Sequence, residues 1–152
     1  MNYRITGTGS CIPDITKKNS DFLENKFLDT DGGKFQTSNS EIIDKFNSIT
    51  GIYERRYAPD EINCSDLAAV AAGLAINDSK LDQETLDYII VAHNTGDISC
   101  SSGQVDTLPS VASKVKAKLK IKNPNCVAYD IICGCPGWVE GIIQAKSFIK
   151  SG

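Results

Sequence analysis

The chain has 152 residues, a net charge of −3 and a hydrophobic fraction of 41%. That size gives one ordinary domain or one lobe of something larger, and the composition argues against a disordered chain. The slight acidity argues against a general nucleic-acid binder, and no apolar run approaches the ~20 residues of a membrane span. The opening MNYRITGTGS has no basic segment followed by an apolar one, so a cytoplasmic protein is expected. Tyr3 to Thr6 is the first predicted strand, running into the turn Gly7-Thr8-Gly9. Residues 14–40 are polar, turn at Asp31-Gly32-Gly33, and are expected to carry at most one short helix between Asn19 and Phe27. Ile42, Ile43 and Phe46 share a face at helical spacing, and Thr50-Gly51-Ile52 ends that piece. Asn63 or Ser65 can cap an alanine-rich helix that Asn77-Asp78-Ser79 stops. Leu86 to Ala92 reads as a strand buried on both faces, followed by a polar loop from His93 to Thr107. Pro109 fits the first turn of a helix that carries Val111, Ala112, Val115 and Leu119 inward. Cys126 to Cys133 is the second buried strand, and Pro136 to Lys150 a long apolar helix.

Alternating strands and helices predict an α/β layer with a largely parallel sheet and helices on both faces. The last helix is apolar almost all round, so it should be covered on more than one side. Too few elements remain to cover it, which points to a further half or a partner chain.

The six cysteines, at 11, 64, 100, 126, 133 and 135, do not form the dense pattern of a secreted disulfide scaffold. Metal binding is not expected. Cys133-Gly134-Cys135 is one residue tighter than the usual zinc spacing, and the chain has one histidine, His93. The chemically informative stretch runs from Ala128 to Trp138, where a buried strand ends, a glycine turn follows and Cys135 precedes a helix opening with Pro136. A thiol there meets unpaired amide N–H groups and the positive end of the helix dipole, the setting in which helix-start cysteines act as nucleophiles. The same amides can hold an oxyanion. From the local pattern two other readings stand beside it: a buried cysteine used as a spacer, and a Cys133–Cys135 redox pair.

Several segments, in order, resemble the N-terminal half of the beta-ketoacyl-acyl carrier protein synthase III enzymes of the thiolase superfamily. They are Ile5 to Ser10 with Pro13, Thr50 to Arg56, Ser65 to Ala75, Asp87 to Ala92, and Pro109-Ser110. The last is Ala128-Tyr129-Asp130, four further residues, then Cys135-Pro136-Gly137-Trp138. Residues 23–40 stand out as a variable surface insertion in an otherwise single lobe spanning 1–152. The resemblance implies a thiolase-like fold and a usually dimeric enzyme of fatty acid biosynthesis. Cys135 would take an acyl group from acyl-coenzyme A. A malonyl unit on acyl carrier protein would then lose carbon dioxide and attack the thioester. No permanently bound cofactor is implied, since the coenzyme A thioester is a substrate. Cys133 becomes a neighbour.

The sequence departs from the family in three ways. The family's second-half histidine and asparagine have no counterpart here, so the chain is expected to be part of one about twice as long, and not a competent condensing enzyme alone. His93 matches no catalytic position and reads as a loop histidine at the sheet edge. The family's coenzyme A-stacking tryptophan and phosphate-holding arginine correspond to Lys45 and Ile49. That leaves Lys45 as a point charge for phosphate and Thr50 as a candidate contact, with Arg55 and Arg56 adding positive charge or forming a solvated turn. Leu108 lies where the family places a bulky residue at the acyl pocket. The lysines at 114, 116, 118, 120 and 122 suit either an acidic carrier protein or, more simply, a solvated face. A non-catalytic docking module and a related secondary-metabolite condensing enzyme are the alternatives.

Overall fold

The computed structural model describes residues 3–152, in two compact units: residues 13–59, and residues 60–152 with the N-terminal segment up to Ile12.

In the first unit, β1 (Ile15–Lys18) pairs antiparallel with β2 (Glu54–Tyr57) and continues into a short 3-10 turn at Asn19–Phe22. That turn is the one short helical piece expected between Asn19 and Phe27, while the strand before it was not anticipated. Residues 23–40 fold back at Asp29, whose carboxylate accepts the amides of Asp31 and Gly33 at 3.0 and 2.7 Å. Helix α1 (Asn39–Thr50) starts in a reciprocal cap between Ser38 and Glu41 and buries Ile43. Arg55 is not a solvated turn residue. Its guanidinium lies 5.4 and 5.3 Å from the ring centroids of Phe22 and Phe46 and donates to Asn19 Oδ1 at 2.7 Å. Arg56 is exposed beside Glu54.

In the second unit, helix α2 (Cys64–Ser79) is capped by Asn63 and Asp66. Residues 3–6 form no strand. The segment that follows lies along α2 instead, and a Cβ on Gly7 or Gly9 would overlap the carbonyl oxygens of Ala75 or Ala71. The small residues of α2 thus meet bare backbone, which replaces sheet pairing for this segment. Strand β3 (Tyr88–His93) pairs in parallel with β6 (Val127–Ile132), with Val91 opposite Asp130 and His93 opposite Ile132. Between them come a small hairpin, β4 (Asp97–Ile98) with β5 (Val105–Asp106), and helix α3 (Val111–Lys118). Ser110 caps α3 through Ser113, so Pro109 precedes the cap and does not lie in the first turn.

Strand alternation assigns the two faces of the parallel pair. Val111, Ala112, Val115 and Cys126 make the buried core on the α3 side. Helix α4 (Gly137–Ser151) packs on the other side. A Cβ on Gly137 would come within 3.2 Å of the Ala92 Cβ, and one on Gly141 would touch Ile90 and Ile131. Tyr88 stacks on Phe148 with centroids 4.4 Å apart. The α/β arrangement with helices on both faces is therefore present, around a parallel sheet of two strands. The far side of α4 is open: Trp138 is 69% exposed, and Val139, Ile142, Ile143 and Ile149 are about half exposed. Nothing among the described residues covers it, in line with its all-round apolar sequence.

Candidate active site

Parallel strands in α/β folds present ligands at their C-terminal ends, and β3 and β6 end together here. The last rung of the ladder is the Cys133 N–H donating to the His93 carbonyl at 3.3 Å. The chain then turns through Gly134, Cys135 and Pro136, closed by the Gly137 N–H on the Gly134 carbonyl at 2.9 Å. The Glu140 N–H takes the Pro136 carbonyl and α4 is under way. Gly137 is required by close approach: its buried backbone sits against Ala92 and the Cys133 Cβ, which sets where the turn begins. Cys135 stands exposed at the tip, and Cys133 is half-buried beneath it.

Under the strand ends lies a polar cluster. Asp130, on the α3 face of β6, accepts the Val111 and Ala112 amides at 2.7 Å each and meets His93 Nε2 at 3.0 Å. His93 is therefore not a loose loop histidine: its side chain is 7% exposed, and Asp130's is 13%. Asp97 is buried and accepts the Ser65 amide at 2.8 Å and Lys114 Nζ at 3.0 Å. Burial pushes the Asp97 carboxyl up, but the Ser65 and Lys114 contacts together outweigh it and hold the group below its usual range. Lys114 also binds Asp106 at 2.6 Å, which pins the hairpin to the start of α3. Cys64, opening α2, has its thiol raised by burial, with Asp97 and Asp130 adding to the effect.

The lysine row is largely committed elsewhere. Lys116 caps the carbonyls of Asn123 and Cys126 at 2.8 and 2.7 Å, and Lys118 pairs with Asp66 at 2.6 Å. With Lys114 these three tie the unit together, in place of the solvated face expected from their spacing. Leu108 precedes α3 and is 82% exposed. In the other unit, Lys45 and Thr50 come together in one cavity of about 270 Å³ with Phe35, Thr37, Ile42, Phe46 and Ile49. The Thr50 hydroxyl is partly committed there, bonding the Phe46 carbonyl and accepting the Ile52 amide at 3.1 Å. No cluster of three or more metal-ligating side chains occurs among the described residues.

The turn carrying Cys135 and its flanking elements were legible in the sequence, but the His93–Asp130 pair was not. Its signal was a charged residue inside the apolar run Ala128 to Ile132, because a carboxylate buried in a strand needs donors.

Comparison with known proteins finds relatives along the whole chain. Beta-ketoacyl-acyl carrier protein synthase III 1 of Vibrio parahaemolyticus is 37% identical over all 152 residues, which cover 41% of its length. The synthase III of Oceanobacillus iheyensis is 38% identical over the same span. The crystal structure of 3-oxoacyl-acyl carrier protein synthase III from Aquifex aeolicus superposes with a TM-score of 0.73 at 33% identity, over 99% of this chain and 41% of that one. The chain is similar throughout to the N-terminal half of synthase III. Its fold is thiolase-like. A variant of Xanthomonas campestris OleA shares the fold with a TM-score of 0.76 at 21% identity. No protein-family profile matches the synthase III-like chain. It spans about two fifths of the length of the synthase III relatives it matches.

Proposed function

We propose that this chain supplies the nucleophile lobe of a synthase III-type condensing acyltransferase of fatty acid biosynthesis. The observation that carries the reading is Cys135, exposed on a tight turn between a parallel strand and a helix start. Its sulfur attacks the carbonyl of an acyl-coenzyme A. The tetrahedral oxyanion lies near the amide N–H groups that open α4, and coenzyme A leaves as the thiol when the S–C bond breaks. Malonyl-acyl carrier protein then loses carbon dioxide. Its carbanion attacks the Cys135 thioester, and the 3-oxoacyl product leaves as the cysteine is reprotonated. Lys45 and Thr50 are the proposed contacts for the coenzyme A donor, and Leu108 for the acyl chain.

Condensation also needs groups that polarise the malonyl thioester. The chain's one histidine is buried against Asp130 and is not free for that task. A second lobe carrying histidine and asparagine is therefore part of this proposal, in an assembly that is dimeric in whole. The open face of α4, where Trp138 and Ile142 line a cavity of about 310 Å³ with Tyr88, Ile90, Ala92 and Gly141, is the proposed seat of that lobe. The cofactor requirement is none beyond the coenzyme A thioester. A cytoplasmic setting, where acyl-coenzyme A and acyl carrier protein meet, belongs to the same proposal. No helix of the described residues is long and apolar enough to cross a membrane.

Incubation with acetyl-coenzyme A followed by peptide mass mapping tests the first step. The expected result is one acetyl group on Cys135, absent from Cys135→Ala. An acetyl group on another cysteine, or none when a complementary second lobe is supplied, overturns the reading.

A further inference from the structure

We propose that His93 is a positioning residue of the Cys135 site, holding through Asp130 the end of β6 from which the nucleophile turn departs. The inference rests on the reading of Cys135 as nucleophile. His93 grips this region twice. Its carbonyl accepts the Cys133 N–H at 3.3 Å, two residues before the nucleophile. Its ring reaches Asp130 Oδ2 at 3.0 Å, and the same carboxylate holds the first two amides of α3. One residue thus joins the Cys135 turn through its backbone carbonyl, and β6 with the start of α3 through its ring and Asp130.

The chemistry places a proton on Nε2. The Asp130 carboxylate only accepts, so Nε2 carries the proton of that bond. Nδ1 is buried and has no partner among the described residues. Gly96 closes over this edge of the ring: a Cβ there would lie 3.5 Å from Cε1 and 4.0 Å from Nδ1. The ring is therefore boxed by Asp130 on one side and the Gly96 turn on the other. An apolar residue of similar size would fill the box but deprive Asp130 of one of three donors. The carboxylate and the strand end it anchors would then shift, and a displacement of ~1 Å at a reacting group is enough to cost up to ~100-fold in rate.

The test uses the intact chain. His93 is its one histidine, so a long-range nitrogen–proton NMR spectrum at pH 7 contains a single imidazole. The expected spectrum shows a protonated Nε2. Cys135 reactivity is read in parallel, as alkylation by iodoacetamide and as acetyl transfer from acetyl-coenzyme A, both mapped by peptide mass. His93→Phe is expected to slow both by about tenfold, and His93→Gln, whose amide N–H can reach Asp130, to stay within about threefold of the parent. An Nε2 without a proton, or a His93→Phe chain of unchanged circular dichroism that reacts within about twofold of the parent, overturns the proposal. If His93→Phe does not fold, the Nε2 proton and the His93→Gln rescue decide. If the parent takes no acetyl group, the proposed function fails, while the Nε2 proton and the alkylation rates still decide the role of His93.

Discussion

Asp130→Asn isolates the polar cluster from packing, because it keeps the shape of the side chain and removes only its charge and one acceptor. The carboxylate takes two amides at 2.7 Å and one imidazole nitrogen at 3.0 Å. An amide keeps one oxygen, best spent on the Val111 and His93 donors that now share Oδ2. Its NH2 then faces the Ala112 N–H, donor against donor. One charge-assisted bond worth about 1.5–3 kcal/mol is lost, and two others fall toward the neutral value of about 1 kcal/mol. Partial relief of the buried charge offsets some of this. The expected cost is about 3 kcal/mol. Urea unfolding followed by the fluorescence of Trp138, the chain's one tryptophan and part of the same unit, reads that change as a lower midpoint at unchanged slope. Asp44→Asn, at an exposed position in the other unit, is the control. A loss under about 1 kcal/mol for Asp130→Asn refutes the reasoning, because it would mean that the three donors are satisfied without the charge.

Alkylation with iodoacetamide at pH 7 should label exposed Cys135 well before Cys64, whose thiol is raised by burial and by Asp97 and Asp130; peptide mapping of a time course that shows equal rates would contradict that cluster. The carboxyls of Asp66, held down by Lys118 and the Asn63 amide, and Asp97, held down by Ser65 and Lys114 against burial, are both depressed on folding. Their stabilisation is present above the usual carboxylate range and is lost as pH falls through the lower folded values. Lys114→Met should therefore flatten part of the acid limb of a stability–pH curve, and an unchanged limb counts against the ion pairs. Ser38→Ala removes the hydroxyl that accepts the Glu41 amide at 3.3 Å, and should cost the 13–59 unit about 1 kcal/mol by thermal melting.

Elements with local causes were readable in the sequence alone. The apolar runs around Ile89–Val91 and Ala128–Ile132, the cap at Asn63, and the glycine turn before α4 each depend on neighbours a few residues away. What escaped depends on distant partners. Residues 3–6 have strand composition, yet the following Gly7 and Gly9 lie on the alanine face of α2, and pairing lost to that close approach. Lys114, Lys116 and Lys118 alternate as a solvated row would. Because α3 is only 8 residues long, each meets a different neighbour: the 97–106 hairpin, the loop before β6, and the first turn of α2.

Helix α4 links Cys135, the proposed nucleophile, to the open surface. Its first turn, fixed by Gly137 against Ala92, decides where Cys135 stands. That turn and the next present Trp138, Val139, Ile142 and Ile143 to solvent. The residues that place Cys135 are thus continuous with an apolar surface that the described residues leave open. A covering lobe would touch α4 within one turn of Cys135. In the proposed enzyme, burying that surface and completing the chemistry are then one event, and a change such as Trp138→Asp should weaken lobe association and condensation together while leaving the bare acylation of Cys135 in place.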